Sequence, residues 1–323
     1  MCDLSPAMAE AAADQFRVPH WFTNHREMLE VLAPDVVHVG TPPASHYALA
    51  RDALESGAHV FVEKPVTTRL DDLESLIELA KSRERVLLED HNYLYNRSLQ
   101  WLLSAVASGE FGEVVHVEVN VALAVLGPGS RMADPNLPHP SLALPGGVVA
   151  EFLTHMAYLS HAFVGVHGAV QSSWHSRAPM TPLPCDEFRA LVEAERGTAL
   201  LSFSAHAQPD VFSVRVHGTR MRAEAHLWEP KLVVERLRDC PRPLLPLRNG
   251  VSQAWQELRS GVASLWRKLE GGPGSYEGQW ELLRQIYAAL ARNAPPPIPV
   301  ERIIEVNRLV SELSEQARQA CES

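Results

Sequence analysis

Asp35-Val36-Val37-His38-Val39-Gly40, His59-Val60-Phe61-Val62 and Val86-Leu87-Leu88 are three short apolar runs, and what separates them decides the fold. Runs of this length, rich in β-branched residues, predict buried strands. Between the first two, residues 45 to 56 place Ala50, Ala53 and Leu54 on one helical face, and Gly57 ends the helix. Between the second and third, Leu70, Leu73, Leu76, Ile77 and Ala80 recur at helical spacing, with Asp71, Asp72 and Glu74 near the positive N-terminal end of the helix. The order βαβαβ requires a parallel sheet. Right-handed crossovers then bring all three strand carboxyl ends to one edge, where open α/β sheets bind their ligands.

That edge collects polar residues. The first strand runs into Gly40-Thr41-Pro42-Pro43, the second into Glu63-Lys64-Pro65 and the third into Asp90-His91-Asn92-Tyr93. Lys64 ends a buried strand ahead of a proline that biases its backbone to extended conformations. A positioned ammonium polarises a carbonyl or hydroxyl oxygen, and partial desolvation brings it toward proton-transfer range. The simpler alternative is a surface lysine paired with Glu63. His91, Asn92 and Tyr93 are candidates to hydrogen-bond a polar substrate, or else the polar cap of a strand end.

Outward from this core, the 323 residues suggest two domains. Twenty-nine Lys and Arg against 39 Asp and Glu give a net charge of −10, which offers no general field for nucleic acid or anionic membranes and makes small molecules the expected ligands. No run of about 18 apolar residues predicts a membrane span, and the N-terminus lacks a basic-then-apolar leader, so a cytoplasmic protein is expected. Cys2, Cys185, Cys240 and Cys321 are too scattered for a metal, redox or disulfide framework.

Beyond Leu99, the face of Leu99, Leu102, Leu103 and Val106 predicts a helix stopped by Gly109, followed by a long strand over 113–125. Residues 127–145 hold five prolines (Pro128, Pro135, Pro138, Pro140 and Pro145) and predict an irregular loop crossing a cleft. A helix from about Val148 to Phe163 follows, then β-rich runs over 169–236 that predict a mostly antiparallel sheet. Residues 237–277 are punctuated by Pro and Gly around an amphipathic stretch, and two helices flank Pro295-Pro296-Pro297-Ile298-Pro299.

Glu151 and His155 lie one helical turn apart on the 148–163 segment. They share a face as an acid/base pair, two metal ligands, or a solvated i,i+4 pair. No third ligand completes a tetrahedral metal set, so no metal is expected. Gly146-Gly147 just ahead lets a ligand or another backbone approach closely. His161 and His167 read as structural or exposed. No serine-hydrolase elbow, phosphate-binding P-loop or zinc-protease motif occurs in the sequence.

In chain order, these features resemble the motif series of the Gfo/Idh/MocA oxidoreductase family, the group of glucose-fructose oxidoreductase and inositol 2-dehydrogenase. Cys2-Asp3-Leu4-Ser5-Pro6 resembles the end of the family's second strand. Gly40-Thr41-Pro42-Pro43 with His46 resembles its nicotinamide-side loop, and Glu63-Lys64-Pro65 its signature. His91-Asn92-Tyr93 and Gly109-Glu110-Phe111-Gly112 resemble the passage into the second domain, Gly146-Gly147 with Glu151 and His155 its G-G-x-x-x-D-x-G-x-H helix, and His217-Gly218-Thr219 a further sheet motif. The likeness runs over essentially the whole chain.

The resemblance implies an N-terminally truncated Rossmann-type domain over 1–93, with the first βα unit and its glycine-rich turn missing. A larger, mostly antiparallel open-sheet domain over 94–299 and a C-terminal helix over 300–323 would follow. It implies NAD- or NADP-dependent oxidation or reduction of a sugar, polyol or related hydroxyl compound. Lys64 would assist proton movement, His155 would be its acid/base partner, and Glu151 would stand where an Asp orients substrate. Asp3 would contact the adenosine ribose, while Thr41, Pro42, His46, Glu63 and Lys64 would line the nicotinamide half. Leu153 replaces the family's Gly, and Tyr158 stands where a second Asp often follows. The second domain implies substrate contacts and a homo-oligomer interface. One alternative is a non-catalytic member or fragment that has lost cofactor binding and serves as a ligand-binding or oligomerisation module. Another is a carbohydrate lyase or hydrolase that uses bound NAD transiently.

Overall fold

The computed structural model describes residues 1–125, 139–177, 185–229, 231–237, 241–269 and 276–321. The chain divides into two compact units, Met1–Asp90 and His91–Ser323.

In the first unit, α1 (Pro6–Phe16) is opened by Ser5, whose hydroxyl accepts from the Met8 N–H, with Pro6 at the first helical position. Helix α2 (His25–Leu32) is capped by Asn24, which accepts from the Arg26 N–H. Then come β1 (Val36–Val39), α3 (His46–Glu55), β2 (His59–Val62), α4 (Leu70–Ser82) and β3 (Leu87–Glu89). The strands form a three-stranded sheet in the order β1-β2-β3, parallel throughout, with Val37 opposite Val60 and Phe61 opposite Leu88. A separate parallel bridge joins Cys2 to Phe22. The βαβαβ reading is therefore correct, with strand ends displaced by a residue. Ala50, Ala53 and Leu54 of α3, Leu73 and Leu76 of α4, and Val60 and Val62 of β2 are all buried, as the two periodicities require.

The second unit begins with α5 (Arg97–Ala107), β4 (Val114–Ala122) and α6 (Ala150–Val164), the last preceded by a 3₁₀ turn over Gly147–Val149. Strands β5 (His167–His175), β6 (Glu187–Ala194), β7 (Gly197–Ser204), β8 (Val211–Gly218), β9 (Met221–His226) and β10 (Lys231–Arg236) follow, then helices α7 (Leu245–Leu269), α8 (Glu277–Leu290) and α9 (Val300–Cys321). The sheet has seven strands in the order β10-β9-β8-β4-β7-β6-β5. All pairs are antiparallel except β4 with β7. That central parallel pair is invisible to hairpin signals, which report only neighbours in sequence.

Alternation along β4 turns Val117, Val119 and Val121 inward, where α6 packs. The face of α6 is apolar nearly all round, and Leu153, Met156, Ala157, Tyr158 and Leu159 are fully buried, because β4 and β7 cover one side and α9 another. The opposite face of β4 carries Glu118, which pairs with Arg215 and His217 of β8 at 3.3 and 2.8 Å. Two glycines are sterically required. Gly146 has φ +85°, and a Cβ there would lie 2.7 Å from the Trp174 ring. Gly218 lies against the Phe111 backbone, where a Cβ would meet the carbonyl oxygen at 2.4 Å.

Three expectations changed in detail. The strand placed over 113–125 is limited to Val114–Ala122. The 237–277 segment, read as an amphipathic stretch punctuated by Pro and Gly, contains a 25-residue helix running through Gly250 and Gly261. Of the proline-rich loop, Pro128, Pro135 and Pro138 lie outside the described residues, and Pro140 opens a 3₁₀ turn. Among the described residues, no helix is long and apolar enough to cross a membrane.

Candidate functional site

In the first unit, β1 and β2 run parallel, so their carboxyl ends deliver Gly40–Pro43 and Glu63–Pro65 to the same edge. The sheet ladder extends past β2, where the Glu63 N–H donates to the Val39 carbonyl at 2.9 Å. His46 is fully buried, with Nδ1 2.8 Å from the Pro65 carbonyl and Nε2 2.6 Å from the Thr41 carbonyl. Expected to line the cofactor, it joins the two loops as a strut. Glu89, also fully buried, accepts from the Val66 N–H at 3.0 Å. Lys64 is thus flanked by anchored main chain, Glu63 before it and Pro65 and Val66 after it, and is itself half-buried. The peptide bond between Lys64 and Pro65 is cis. The sequence reading missed Glu89, whose only signal is an acidic residue at the end of an apolar strand.

Asp3 and Thr41 line one cavity of about 120 Å3, together with Cys2, Leu4 and the Val37–Val39 strand on one side and His25, Met28 and Leu29 on the other. Asp3 is exposed and accepts from the Ser5 N–H at 2.8 Å through Oδ1, so its second oxygen can accept from a hydroxyl. Thr41 shares a 2.7 Å hydrogen bond with Ser45, whose hydroxyl also donates to the Pro42 carbonyl. A cavity lined by both a carboxylate and apolar side chains suits the diol and ring of a nucleoside. Asp3 could hold the ribose hydroxyls of a nicotinamide dinucleotide, with Thr41, Pro42, Glu63 and Lys64 at the strand ends.

The wall of this cavity is held from behind by Asp52 of α3. Its carboxylate accepts from Arg26 at 2.8 Å and from Arg51 at 3.0 Å, and lies 2.8 Å from His25 Nε2. Burial alone would raise its pKa, but the bonds to His25, Arg26 and Arg51 outweigh it and hold Asp52 at about 2.

In the second unit, the second turn of α6 points His155 into an aromatic surround. Its Nδ1 shares a 2.9 Å hydrogen bond with the buried Tyr158 hydroxyl, which also lies 3.2 Å from Asn92 Oδ1 and accepts from the Tyr93 N–H at 3.3 Å. Ring centroids of Tyr93 and Phe212 stand 5.0 and 6.3 Å from the imidazole, and Trp228 donates to the Tyr93 hydroxyl at 3.4 Å. Of the predicted trio, Asn92 and Tyr93 join this cluster directly, while His91 is fully buried with its ring stacked on Tyr158 at 4.5 Å. Glu151 lies one turn earlier on α6, half-buried.

Tyr158 is the main addition to the expected set. Its spacing of three from His155 on a helix places both on one face, a signal present in the sequence. Phe212 and Trp228 come from β8 and the turn after β9, with no local signal. His161, further along α6, has its pKa lowered to about 4, first by burial and then by Arg302, His91 and Arg196. Among the described residues, no group of three or more His, Cys, Asp or Glu is placed to hold a metal.

Residues 1–91 match a family model described as an oxidoreductase family with an NAD-binding Rossmann fold. An uncharacterized oxidoreductase of Synechocystis is 24% identical over 261 residues, covering 78% of this chain and 69% of that protein. The D-glucoside 3-dehydrogenase of Escherichia coli is 30% identical over 114 residues, covering 35% of this chain and 32% of that enzyme. The latter alignment thus spans about a third of its relative's length. Among solved structures, a dehydrogenase from Bordetella pertussis in complex with NADH and UDP-GlcNAcA superposes with a TM-score of 0.72 at 16% identity, covering 98% of this chain and 87% of that one.

Proposed function

We propose, from a chain whose residues 1–91 match the Gfo/Idh/MocA oxidoreductase family model, that the protein oxidises or reduces a CH–OH group of a sugar, polyol or related compound with a nicotinamide cofactor. It would work in the cytoplasm as a homo-oligomer. When bound, the cofactor supplies the hydride acceptor or donor. The chain supplies proton handling and orientation. The single observation that carries this reading is the hydrogen-bonded chain His155–Tyr158–Asn92, which gives a buried histidine a defined partner on Nδ1.

That chain contains one hydroxyl proton with two acceptors available. When the Tyr158 O–H donates to Asn92, His155 presents Nδ1–H to the tyrosine oxygen and keeps its Nε2 lone pair, ready to take a substrate hydroxyl proton. The imidazolium so formed, still bonded through Nδ1–H to the tyrosine oxygen, is the acid that returns this proton from Nε2 in the reverse reduction. The base of oxidation and the acid of reduction thus differ by one proton on Nε2. Lys64 would serve from its anchored strand end, its ammonium stabilising the alkoxide that forms as the hydroxyl proton leaves. Glu151 orients substrate, Tyr93 and Asn92 contact it, and Asp3 reads the ribose. The D-glucoside 3-dehydrogenase and the UDP-GlcNAcA complex among the relatives support a pyranose substrate class.

A panel of C-deuterated pyranosides and polyols incubated with NAD+ and NADP+ tests this. Deuterium appearing in the reduced cofactor in stoichiometric amounts supports net dehydrogenation. Turnover with label returned to product would indicate transient hydride use, and no transfer with any substrate would overturn the reading.

A further inference from the structure

Helix α7 is amphipathic, yet it packs with its polar side inward. Gln256 sets its side-chain amide against the edge strand β10, accepting from the Val234 N–H at 2.9 Å and donating to the Val234 carbonyl at 3.1 Å, as another strand would. Gln253 donates to Glu235 at 2.6 Å, and Glu257 pairs with Lys231 at 3.1 Å. These bonds satisfy a sheet edge that would otherwise invite pairing. They also fix which way the helix faces.

The outward side is apolar. Val251, Trp255, Leu258, Val262, Leu265 and Leu269 follow the 3.6-residue period along one stripe and are each between 48% and 72% exposed. A contiguous stripe of this kind marks an interaction surface. Trp266 extends it on the same margin as Trp255, and at 100° per residue the exposed Arg248 and Arg259 fall on that margin too. The helix carries Arg248, Arg259, Arg267 and Lys268 against Glu257 alone, a net +3 within a chain of −10.

We propose that α7 lies flat on an anionic lipid surface, with its apolar stripe in the headgroup boundary. Tryptophans and arginines along the margin of a Leu- and Val-rich stripe are the composition of an interfacial helix. Whole-chain charge predicts repulsion from such a surface, but screening over about 8 Å at physiological salt leaves the marginal Arg248 and Arg259 to decide. A second copy joined by the same stripe would set two cationic helices against each other, so the charge favours lipid.

The test uses the full chain with phosphatidylcholine vesicles, with and without about 30% phosphatidylserine. Expected is flotation with the anionic vesicles, at least about tenfold more than with neutral ones and lost in high salt, with tryptophan emission shifted to the blue. Arg248→Gln with Arg259→Gln should cut binding about tenfold or more. Leu258→Glu should abolish it while leaving the melting temperature unchanged, because that side chain is already exposed. Failure to float with either vesicle would overturn the proposal. So would a dimer by light scattering that Leu258→Glu converts to a monomer without any vesicle binding, which would assign the stripe to a second copy. Cofactor binding measured on the same samples separates failure here from failure of the oxidoreductase reading.

Discussion

The first unit and the second carry their candidate groups by different physics. Lys64 stands at a strand end, and its position follows from bonds that tie the main chain around it: the ladder bond from Glu63 to Val39, the His46 strut between Thr41 and Pro65, and the Glu89 carboxylate on the Val66 N–H. His155 stands on a helix, and its state follows from side chains: the Tyr158 hydroxyl on Nδ1 and a surround of Tyr93, Phe152 and Phe212. A group whose main chain is tied keeps the local structure when its own side chain is cut back. One joined to a chain of side-chain hydrogen bonds takes a bond from its neighbours when it is removed. The comparison can be broken by showing that the two groups respond alike.

The largest effect is expected at the reacting groups. Lys64→Ala should lower kcat/KM by about 10²–10⁴-fold, the range for a lost proton-transfer group, with a melting temperature close to that of the unchanged chain. His155→Ala should cost activity on the same scale but also destabilise, because it leaves the buried Tyr158 hydroxyl short of a partner. Thermal melts beside steady-state rates separate the two behaviours. Equal stability loss in both variants would break the comparison.

Acid should separate the units next. His161 of α6 has a folded pKa of about 4, below its unfolded value near 6.5, so the unfolded chain binds the extra proton between them. Stability contributed through His161 is complete above pH 6.5 and falls as pH drops toward 4, by roughly 3 kcal/mol. Asp52 of α3 has a folded pKa of about 2, so its contribution is present above pH 4 and is lost only as pH falls toward 2. Hydrogen exchange between pH 7 and 4.5 should therefore report loosening around α6 while α2 and α3 stay protected. His161→Phe should flatten that acid limb, and a limb unchanged by the substitution would contradict the assignment.

A smaller and more specific effect is expected at Tyr158. Tyr158→Phe keeps the ring that stacks on His91 and removes only the hydroxyl, so activity should fall about tenfold, the value of one hydrogen bond, with the pH-rate profile displaced. An unchanged profile would show that Tyr158 is packing alone. Tyr158→Ala, which opens a cavity, would lower stability as well and is the control.

These contrasts track what could be read from the amino-acid sequence. The strands around Val37, Phe61 and Leu88 and their parallel order follow from local periodicity, since each buried run is bounded by its own helix and turn. So does the prominence of Lys64, which needs only a strand and a proline. His155 and Glu151 were visible as a turn-spaced pair, but the partner that sets the state of His155 was read only as a departure from a motif. Phe212 and Trp228 lie 57 and 73 residues from His155 in sequence. They meet it because β8 pairs with β4, on which α6 packs, and no local pattern encodes that pairing. The parallel pairing of β4 with β7 was missed for the same reason. The amphipathic stretch of α7 was visible, but not that it continues through Gly250 and Gly261, which lower helix propensity by about 1 kcal/mol each, a cost that its bonds to β10 offset.

The most direct test of the central claim is a titration of the 323-residue chain with NADH and NADPH, following thermal stability and nicotinamide fluorescence together. Saturable binding is expected, with a fluorescence change and, at 100 times the dissociation constant, a stabilisation of roughly 2.7 kcal/mol. Asp3→Ala should weaken that binding. A melting temperature and fluorescence unchanged by either nucleotide would contradict the account.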